Sequence, residues 1–160
     1  MTTSTLSFDY QPLVWDDGIR VIKIVKGSFE ELITCKLKHV HLQASSPPKF
    51  VALSYVWGND PVTQRIILNG NLFLVNKNLH AALRRLRELD QDWANWSVWI
   101  DAICINQKDI PERDRQILRM ADIYSSAKVV AFLGENSVED DAVIYDIFEL
   151  AKSLVRAPSD

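Results

Sequence analysis

From residue 50 onward, short apolar runs alternate with segments of helical periodicity, and this alternation constrains the fold more than any other feature. The runs are FVALSYVW at 50–57, a run centred on 97–105, and KVVAFLG at 128–134. Continuous apolar runs of this length are typical of strands buried on both faces. A helical pattern follows each run, so right-handed crossovers predict an α/β fold with a mostly parallel sheet flanked by helices.

Three helices are predicted between and after these runs. The first is capped by Asn76 or Asn78, and one apolar stripe follows: Leu79, Ala82, Leu83, Leu86 and Leu89. The second begins at Asp109, where Pro111 and Glu112 complete the pattern of a capping box. Its expected core-facing residues are Ile110, Ile117, Ala121 and Tyr124, with Leu118 beside them. The third covers roughly 139–154.

Strands are also predicted before residue 50. Residues 19–25 and 32–42 alternate between apolar and polar side chains, as strands do. Within 65–75, Asn69-Gly70 joins two β-rich runs, which predicts a hairpin on the edge of the main sheet. We therefore divide the chain into an N-terminal β extension (1–49), an α/β core (50–155) and the start of a linker or tail (156–160).

Composition and charge exclude several classes of protein. The chain has 160 residues, 48% of them hydrophobic, and a formal net charge of −3, which suits one globular domain and predicts no nucleic-acid partner. Two cysteines are too few for a disulfide framework. No signal peptide and no apolar run of membrane-spanning length is found, so we expect a cytoplasmic protein without a membrane span.

Polar side chains gather where the predicted strands end. In an open α/β sheet, ligands bind at the carboxyl ends of the strands. The first strand ends in Ser54, Tyr55, Trp57 and Gly58, and the second ends in the segment from Asp101 to Asp109. Asp101 interrupts an apolar run, and an unpaired buried carboxylate is costly. The pattern predicts that these residues meet in one accessible rim.

Three stretches carry a resemblance to a known family. FVALSYVWGN, NLHAALRRLR and VWIDAICINQKDIPERDRQILRMADIYSSAKVVAFLG closely resemble the fungal heterokaryon-incompatibility (HET) domain, and the resemblance covers nearly the whole chain. It implies non-self recognition, programmed cell death, and further domains or incompatibility partner proteins. The HET domain is in turn remotely similar to Toll/interleukin-1 receptor (TIR) domains, which implies a flavodoxin-like core and self-association.

Some TIR domains cleave NAD⁺ at the nicotinamide–ribose bond, whereas others only assemble complexes, so the resemblance leaves an enzyme and a non-catalytic scaffold open. Cleavage passes through an oxocarbenium-like state that a carboxylate stabilises. The candidate catalytic residues are Asp101 and Glu112, both of which are expected at the accessible rim. The candidate NAD⁺-binding residues are Ser54, Tyr55, Trp57, Gly58, Asn106, Gln107 and Arg113. No separate cofactor is required.

Each candidate also has a structural interpretation. Asp101 would accept backbone N–H bonds, and Glu112 would complete the capping box. Asn106 and Gln107 would satisfy a turn, and Trp57 would cover the core. Arg113 would pair with Asp101 or with a pyrophosphate. The TIR pattern around a catalytic glutamate does not occur within ENSVEDDAVIYDIFEL.

Other chemistry has little support in the sequence. His39 and His41 share a strand face, but no further ligand at a recognised spacing completes a metal site. Cys104 lacks a basic partner that would activate a nucleophile. Neither a dinucleotide-binding fingerprint nor a P-loop is present. We therefore predict no metal site.

Overall fold

The computed structural model describes residues 8–46, 48–55, 61–88, 97–127 and 129–133, with the backbone alone for 54, 55 and 129–133. The strands in this part are β1 (Gly18–Ile24), β2 (Thr34–His41), β3 (Phe50–Tyr55), β4 (Gln64–Leu68), β5 (Asn71–Val75), β6 (Ser97–Ile100) and β7 (Val129–Leu133). The helices are α1 (Lys77–Glu88), α2 (Asp101–Cys104), α3 (Ile110–Leu118) and α4 (Met120–Ser126). The helix predicted over 139–154 lies outside the described residues.

All described strands join one sheet in the order β5-β4-β2-β1-β6-β3-β7. Strands β6, β3 and β7 are parallel, as the alternation of strands and helices predicts. The β1–β2, β1–β6 and β4–β5 pairs are antiparallel, while β2–β4 is parallel. Three of the six strand pairs are therefore parallel and three are antiparallel, so the sheet is mixed, and the predicted parallel arrangement is confirmed for β6-β3-β7 and for β2–β4.

The first two strands are integral to this sheet. Strand β1 lies between β2 and β6, with Ile22 opposite Val98. Strand β2 then pairs with β4, so β1 and β2 connect the parallel part to the hairpin. Strand β5 is an edge strand, which confirms the predicted position of the hairpin.

The β4–β5 turn has the conformation that its sequence predicts. Asn69 and Gly70 both have positive φ, 48° and 81°, as a two-residue hairpin turn requires. The Asn69 side chain also continues the sheet beyond β4. Its Oδ1 accepts from Leu37 N at 2.8 Å, and its Nδ2 donates to Leu37 O at 3.2 Å.

Helix α1 begins where its cap was predicted. Asn76 Oδ1 accepts a hydrogen bond from Leu79 N at 2.8 Å, which satisfies one free donor of the first turn. Leu79 and Leu83 of the predicted stripe are buried. The helix thus covers the sheet with the face that its periodicity indicated.

Strand β6 is shorter than predicted. Its four residues are all buried, but the chain leaves the sheet at Asp101 and forms the single turn of α2. The apolar residues Ile103 and Cys104 are buried on this helix rather than on a strand. Periodicity over so short an apolar run does not separate the two possibilities.

Helix α3 is rotated away from the orientation that its pattern predicts. Glu112 and Gln116 are only 3% exposed, whereas Ile110, Ile117 and Leu118 are 49%, 51% and 85% exposed. The expected core face of α3 is therefore wrong. Helix α4 agrees better, because Ile123 is fully buried and Tyr124 contacts Trp99 edge-on at 5.6 Å.

The hairpin turn provides a test of the fold. Replacing Asn69 with Ala removes two hydrogen bonds to Leu37 and places a less tolerant residue at positive φ. We expect Asn69→Ala to lower the free energy of unfolding by about 1–2 kcal/mol, measured by urea denaturation. Asn71→Ala is the matched control, since its side chain makes one bond, to Asn69 O at 3.2 Å. Equal stability of the two variants would contradict this account of the turn.

Candidate functional site

A buried ion pair lies beneath the predicted rim. Arg20 of β1 is fully buried, Glu112 of α3 is 3% exposed, and the two side chains meet through two contacts. Arg20 Nη1 donates to Glu112 Oε1 in a short contact, and Nη2 donates to Oε2 at 3.1 Å. This bidentate arrangement is the strong form of an arginine–carboxylate pair.

The same arginine holds several other chain segments. Arg20 Nη1 donates to Cys104 O at 3.1 Å, and Nη2 donates to Gln11 O at 2.7 Å. Its guanidinium lies 5.1 Å from the centroid of the Tyr10 ring. Tyr10 in turn donates its hydroxyl to Ile103 O at 2.6 Å. Arg20 thereby joins the N-terminal segment, β1, α2 and α3.

Of the two hydrogen bonds that the predicted capping box at α3 requires, the one accepted by Asp109 is present and the one accepted by the Glu112 side chain from Asp109 N is replaced by others. Asp109 Oδ1 accepts from Glu112 N at 3.1 Å, so Asp109 is the N-cap. The Glu112 carboxylate accepts from Asn106 N at 3.0 Å, while Asp109 N donates to Asn106 O. The expected accessible position of Glu112 is therefore wrong, because this carboxylate is buried between Arg20 and the loop before α3.

Asp101 occupies the first turn of α2 and is half-buried. Its Oδ1 accepts from Ala102 N at 2.8 Å, as the structural interpretation predicted. A carboxylate at a helix N-terminus is also favoured by the free N–H groups there. Because α2 begins at this residue, a carboxylate can follow a buried strand without entering the core.

The amides after α2 serve the turn and also face a cleft. Asn106 Oδ1 accepts from Lys108 N at 3.2 Å, and Gln107 Nε2 donates to the Asp101 carbonyl at 3.0 Å. Both residues line the cleft described below. Arg113 pairs with its neighbour Asp114 at 3.3 Å on the surface.

The candidates on β3 are described only in part. Ser54 and Tyr55 end β3, with their backbones opposite Phe132 and Leu133 of β7. Their side chains, and the whole of Trp57 and Gly58, lie outside the described residues. Their NAD⁺-binding role stays a prediction.

A cleft of about 480 Å³ opens between the hairpin and the loop after α2. One wall consists of Phe8, Tyr10 and Phe73, whose rings pack edge-to-face with centroids 4.8–6.4 Å apart. Asn106 and Gln107 lie among the residues of the other wall. Ligand pockets commonly have this volume and this combination of apolar walls with a few polar groups.

Burial suppresses ionisation of two groups near Arg20. It raises the pKa of the Cys104 thiol to about 12, and Cys104 Sγ accepts from Ile100 N at 3.4 Å. Burial likewise raises the pKa of Tyr10 above its ordinary value of 10. A thiol held in its neutral form is a poor nucleophile, so Cys104 is a packing residue.

The histidines of β2 have separate surroundings. His39 lies opposite Arg20 in the β1–β2 ladder, whereas His41 contacts Asp17 and stacks on Trp15. Within the described ranges, no cluster of three or more His, Cys, Asp or Glu side chains is arranged to hold a metal ion.

Arg20, Tyr10 and Phe8 are the site residues that the sequence analysis missed. Arg20 stands in IRVIKI, an apolar run like the one that contains Asp101. A guanidinium in a buried strand needs an anion for the same reason that a buried carboxylate needs donors. That argument would have identified Arg20, whereas nothing in the sequence indicates that Phe8 and Tyr10 reach Phe73.

Comparison with known proteins adds the family. The model of a family described as "Heterokaryon incompatibility protein (HET)" matches residues 50–156. The chain is also similar to "Heterokaryon incompatibility protein 6, OR allele" of Neurospora crassa, with 41% identity over 127 residues. This match covers 72% of the chain and 19% of the relative, so the chain spans about a fifth of that protein's length. No solved structure matches significantly.

The buried ion pair makes a specific prediction about stability. Glu112→Gln removes the charge that compensates Arg20 and leaves a buried cation without its anion. We expect it to lower the free energy of unfolding by about 3 kcal/mol in urea denaturation, because breaking a buried pair is strongly destabilising. The matched control is Asp114→Asn, which removes the exposed pair with Arg113 and should cost less than about 1 kcal/mol. A capping role alone would make both losses small and similar.

The surroundings of His39 predict how stability depends on pH. Burial, and then the positive charge of Arg20, lowers the pKa of His39 below its ordinary value of 6.5. The unfolded chain therefore takes up this proton at higher pH than the folded protein does. The contribution of His39 to the free energy of unfolding is therefore complete above about pH 6.5, and it is lost as the pH falls toward the pKa of the folded protein. We expect His39→Gln to flatten the decline in unfolding free energy between pH 7 and pH 5, and an unchanged slope would contradict this assignment.

Proposed function

This chain belongs to the heterokaryon incompatibility (HET) family, and from that premise we propose that it triggers the incompatibility response by binding other proteins. The family match confirms the resemblance that the WIDAICINQ region predicts. In this proposal the domain acts in the cytoplasm as a self-associating, non-catalytic module. The response is the cell death that the resemblance implies.

The engagement of Glu112 is the observation that supports a non-catalytic module. Its oxygens are held by Arg20 and by Asn106 N, and its side chain is only 3% exposed. A carboxylate that stabilises an oxocarbenium-like sugar must approach the ribose, and Glu112 has no free path to do so. The polar groups near the rim instead fix the relative positions of β1, α2 and α3.

A module of this kind is expected to contact other domains, and the length of the relative agrees with this expectation. Because the chain spans about a fifth of that protein, most of an equivalent full-length chain would lie outside this domain. A contact-based module would pass its signal to those parts or to a second protein. Binding to such partners and self-association of the module are both part of what we propose.

A second candidate function is NAD⁺ hydrolysis, and the cleft is the observation that favours it. Three aromatic rings and two amides would suit a nicotinamide or adenine ring, and about 480 Å³ is within the usual range for ligand pockets. Asp101 precedes Ala102, which lines the cleft, and its carbonyl accepts from the side chain of Gln107, another residue of the lining. In this alternative Asp101 would stabilise the positive ribose.

One experiment separates the two functions. Purified protein is incubated with NAD⁺ at high concentration, with and without a crowding agent, and nicotinamide is followed by chromatography. For the contact-based module we expect no nicotinamide above the blank. We also expect the full-length protein carrying Asp101→Asn to kill cells as efficiently as the wild type.

The variants are chosen so that a loss of activity can be distinguished from a loss of folding. Asp101→Asn keeps an oxygen that accepts from Ala102 N, so the fold should persist. Asp114→Asn, on the exposed face of α3, controls for the loss of one carboxylate. Glu112 is unsuitable as a probe because its replacement is expected to destabilise the protein by about 3 kcal/mol. Nicotinamide release that disappears in Asp101→Asn and persists in Asp114→Asn would replace the contact-based proposal with the enzymatic one.

A further inference from the structure

The cleft beside the hairpin lies at the free edge of the sheet. Three consecutive residues of β5, Leu72, Phe73 and Leu74, contribute to its lining, whereas no residue of the neighbouring strand β4 does. Strand β5 is the terminal strand of the described sheet on this side. The cleft therefore borders the outer edge of β5 instead of lying over the middle of the sheet.

The backbone groups on this edge belong to Leu72 and Leu74. In an antiparallel pair, residues alternate between bonding to the partner strand and pointing away from it. Ile67 N donates at 2.8 Å to the carbonyl of the residue that precedes β2, so the adjacent Ile66 directs its backbone toward β5, where its partner is Phe73. The residues on either side of Phe73 therefore direct their N–H and C=O groups away from the sheet.

One of these outward groups already bonds to a segment outside the sheet. Leu72 O accepts from Phe8 N at 3.3 Å, which agrees with the direction of the edge. In the part of the chain that the structure describes, the Leu72 N–H and both outward groups of Leu74 make no hydrogen bond, and Leu74 is 44% exposed. Unpaired N–H and C=O groups at strand spacing are the template to which a further extended segment adds.

The lining of the cleft indicates which side chains such a segment carries. The rings of Phe8, Tyr10 and Phe73 form one wall, and Val62, which is 57% exposed, adds a further apolar group. Lys108 is the charged residue among the described lining residues, is exposed, and forms no ion pair within the described ranges. An apolar side chain suits the walls, and a carboxylate suits the ammonium group of Lys108.

We propose that the outer edge of β5 and the adjoining cleft bind an extended segment of a partner protein that carries apolar and acidic side chains. The segment adds to the sheet as a further strand and bonds to the backbone of Leu74. One of its apolar side chains enters the cleft, and one of its carboxylates pairs with Lys108. This inference rests on the contact-based function proposed above and names the surface through which a partner is bound.

The edge and its charge favour this partner over two other occupants. A small ligand such as NAD⁺ would fill the cleft without pairing with the N–H and C=O groups of Leu74 at strand spacing. A second copy of the chain would present its own hairpin edge, but the strands QRIIL and NLFLV contain no carboxylate to pair with Lys108. An extended acidic and apolar segment of another protein satisfies both the backbone groups and the lysine.

Binding of a defined peptide to the 160-residue protein tests the site. The probe is the fluorescein-labelled peptide Asp-Val-Phe-Val-Leu-Val-Asp, and binding is followed by fluorescence anisotropy. We expect a Kd of about 10–100 μM. The same peptide N-methylated at its three central residues cannot donate to the strand edge, and we expect it to bind at least about tenfold more weakly. A peptide with Lys in place of both Asp residues should be weakened by a similar factor.

Variants of the protein locate the bound peptide. Leu74→Pro removes the outward N–H, which an edge strand tolerates, and should weaken binding about tenfold, whereas Leu74→Ala keeps this donor and should bind more tightly than Leu74→Pro. Lys108→Glu should also weaken binding about tenfold. Its matched control is Lys36→Glu, because Lys36 is exposed on β2 and does not line the cleft. Urea denaturation of each variant confirms that the fold persists.

The outcomes separate this inference from the function on which it rests. No binding at about 1 mM peptide would overturn the inference, as would equal binding of the N-methylated peptide or binding that survives both Leu74→Pro and Lys108→Glu. If cell killing then persists in Asp101→Asn without nicotinamide release, the contact-based function stands and acts through another surface. Nicotinamide release that Asp101→Asn abolishes would overturn that function. A dimer in light scattering that Leu74→Pro dissociates, without peptide binding, would assign the edge to a second copy instead.

Discussion

The bidentate contact between Arg20 and Glu112 is the interaction on which the arrangement of this domain depends. Two opposite charges are removed from water together, and further hydrogen bonds must offset much of the cost of burying them. The carbonyls of Gln11 and Cys104 and the amide of Asn106 supply such bonds, while the buried Arg20 Nε has no hydrogen-bond partner among the described residues. One cluster thus joins the N-terminal segment and β1 to α2 and α3, which lie 84–93 residues away in sequence, and a shift of either part would leave a buried charge unpaired.

The pair also decides which side of α3 faces the sheet. Burying Ile117 and Leu118 would favour one rotation of the helix, yet the helix adopts another because Glu112 and Gln116 bond to β1. A charge left unpaired in the interior is strongly unfavourable, and Ile117 and Leu118, each worth about 1.5–3 kcal/mol when fully buried, are exposed instead. The exposure of Ile110, Ile117 and Leu118 is the consequence.

For function, the important result is a separation of the polar residues into two groups. Glu112 and the backbone near Asn106 serve the fold, while the side chains of Asn106 and Gln107 face a cleft walled by aromatic rings. Membership of the HET family agrees with the long WIDAICINQ motif, which contains Asn106 and Gln107, whereas Glu112 follows five residues after it. Residues that resemble a binding set can therefore serve the fold instead, as Glu112 does.

Local patterns were sufficient to predict the strands, the Asn69-Gly70 turn, the caps at Asn76 and Asp109, and the α/β class, because these depend on neighbours in sequence. The end of β6 at Ile100 was missed, since a short apolar run suits a buried strand and a buried helical turn equally. Only the tertiary structure decided that β1 enters the sheet beside β6, which brings Arg20 to Glu112 across 92 residues. The partner of a buried charge is a matter of distance in space, and periodicity along the chain carries no information about it.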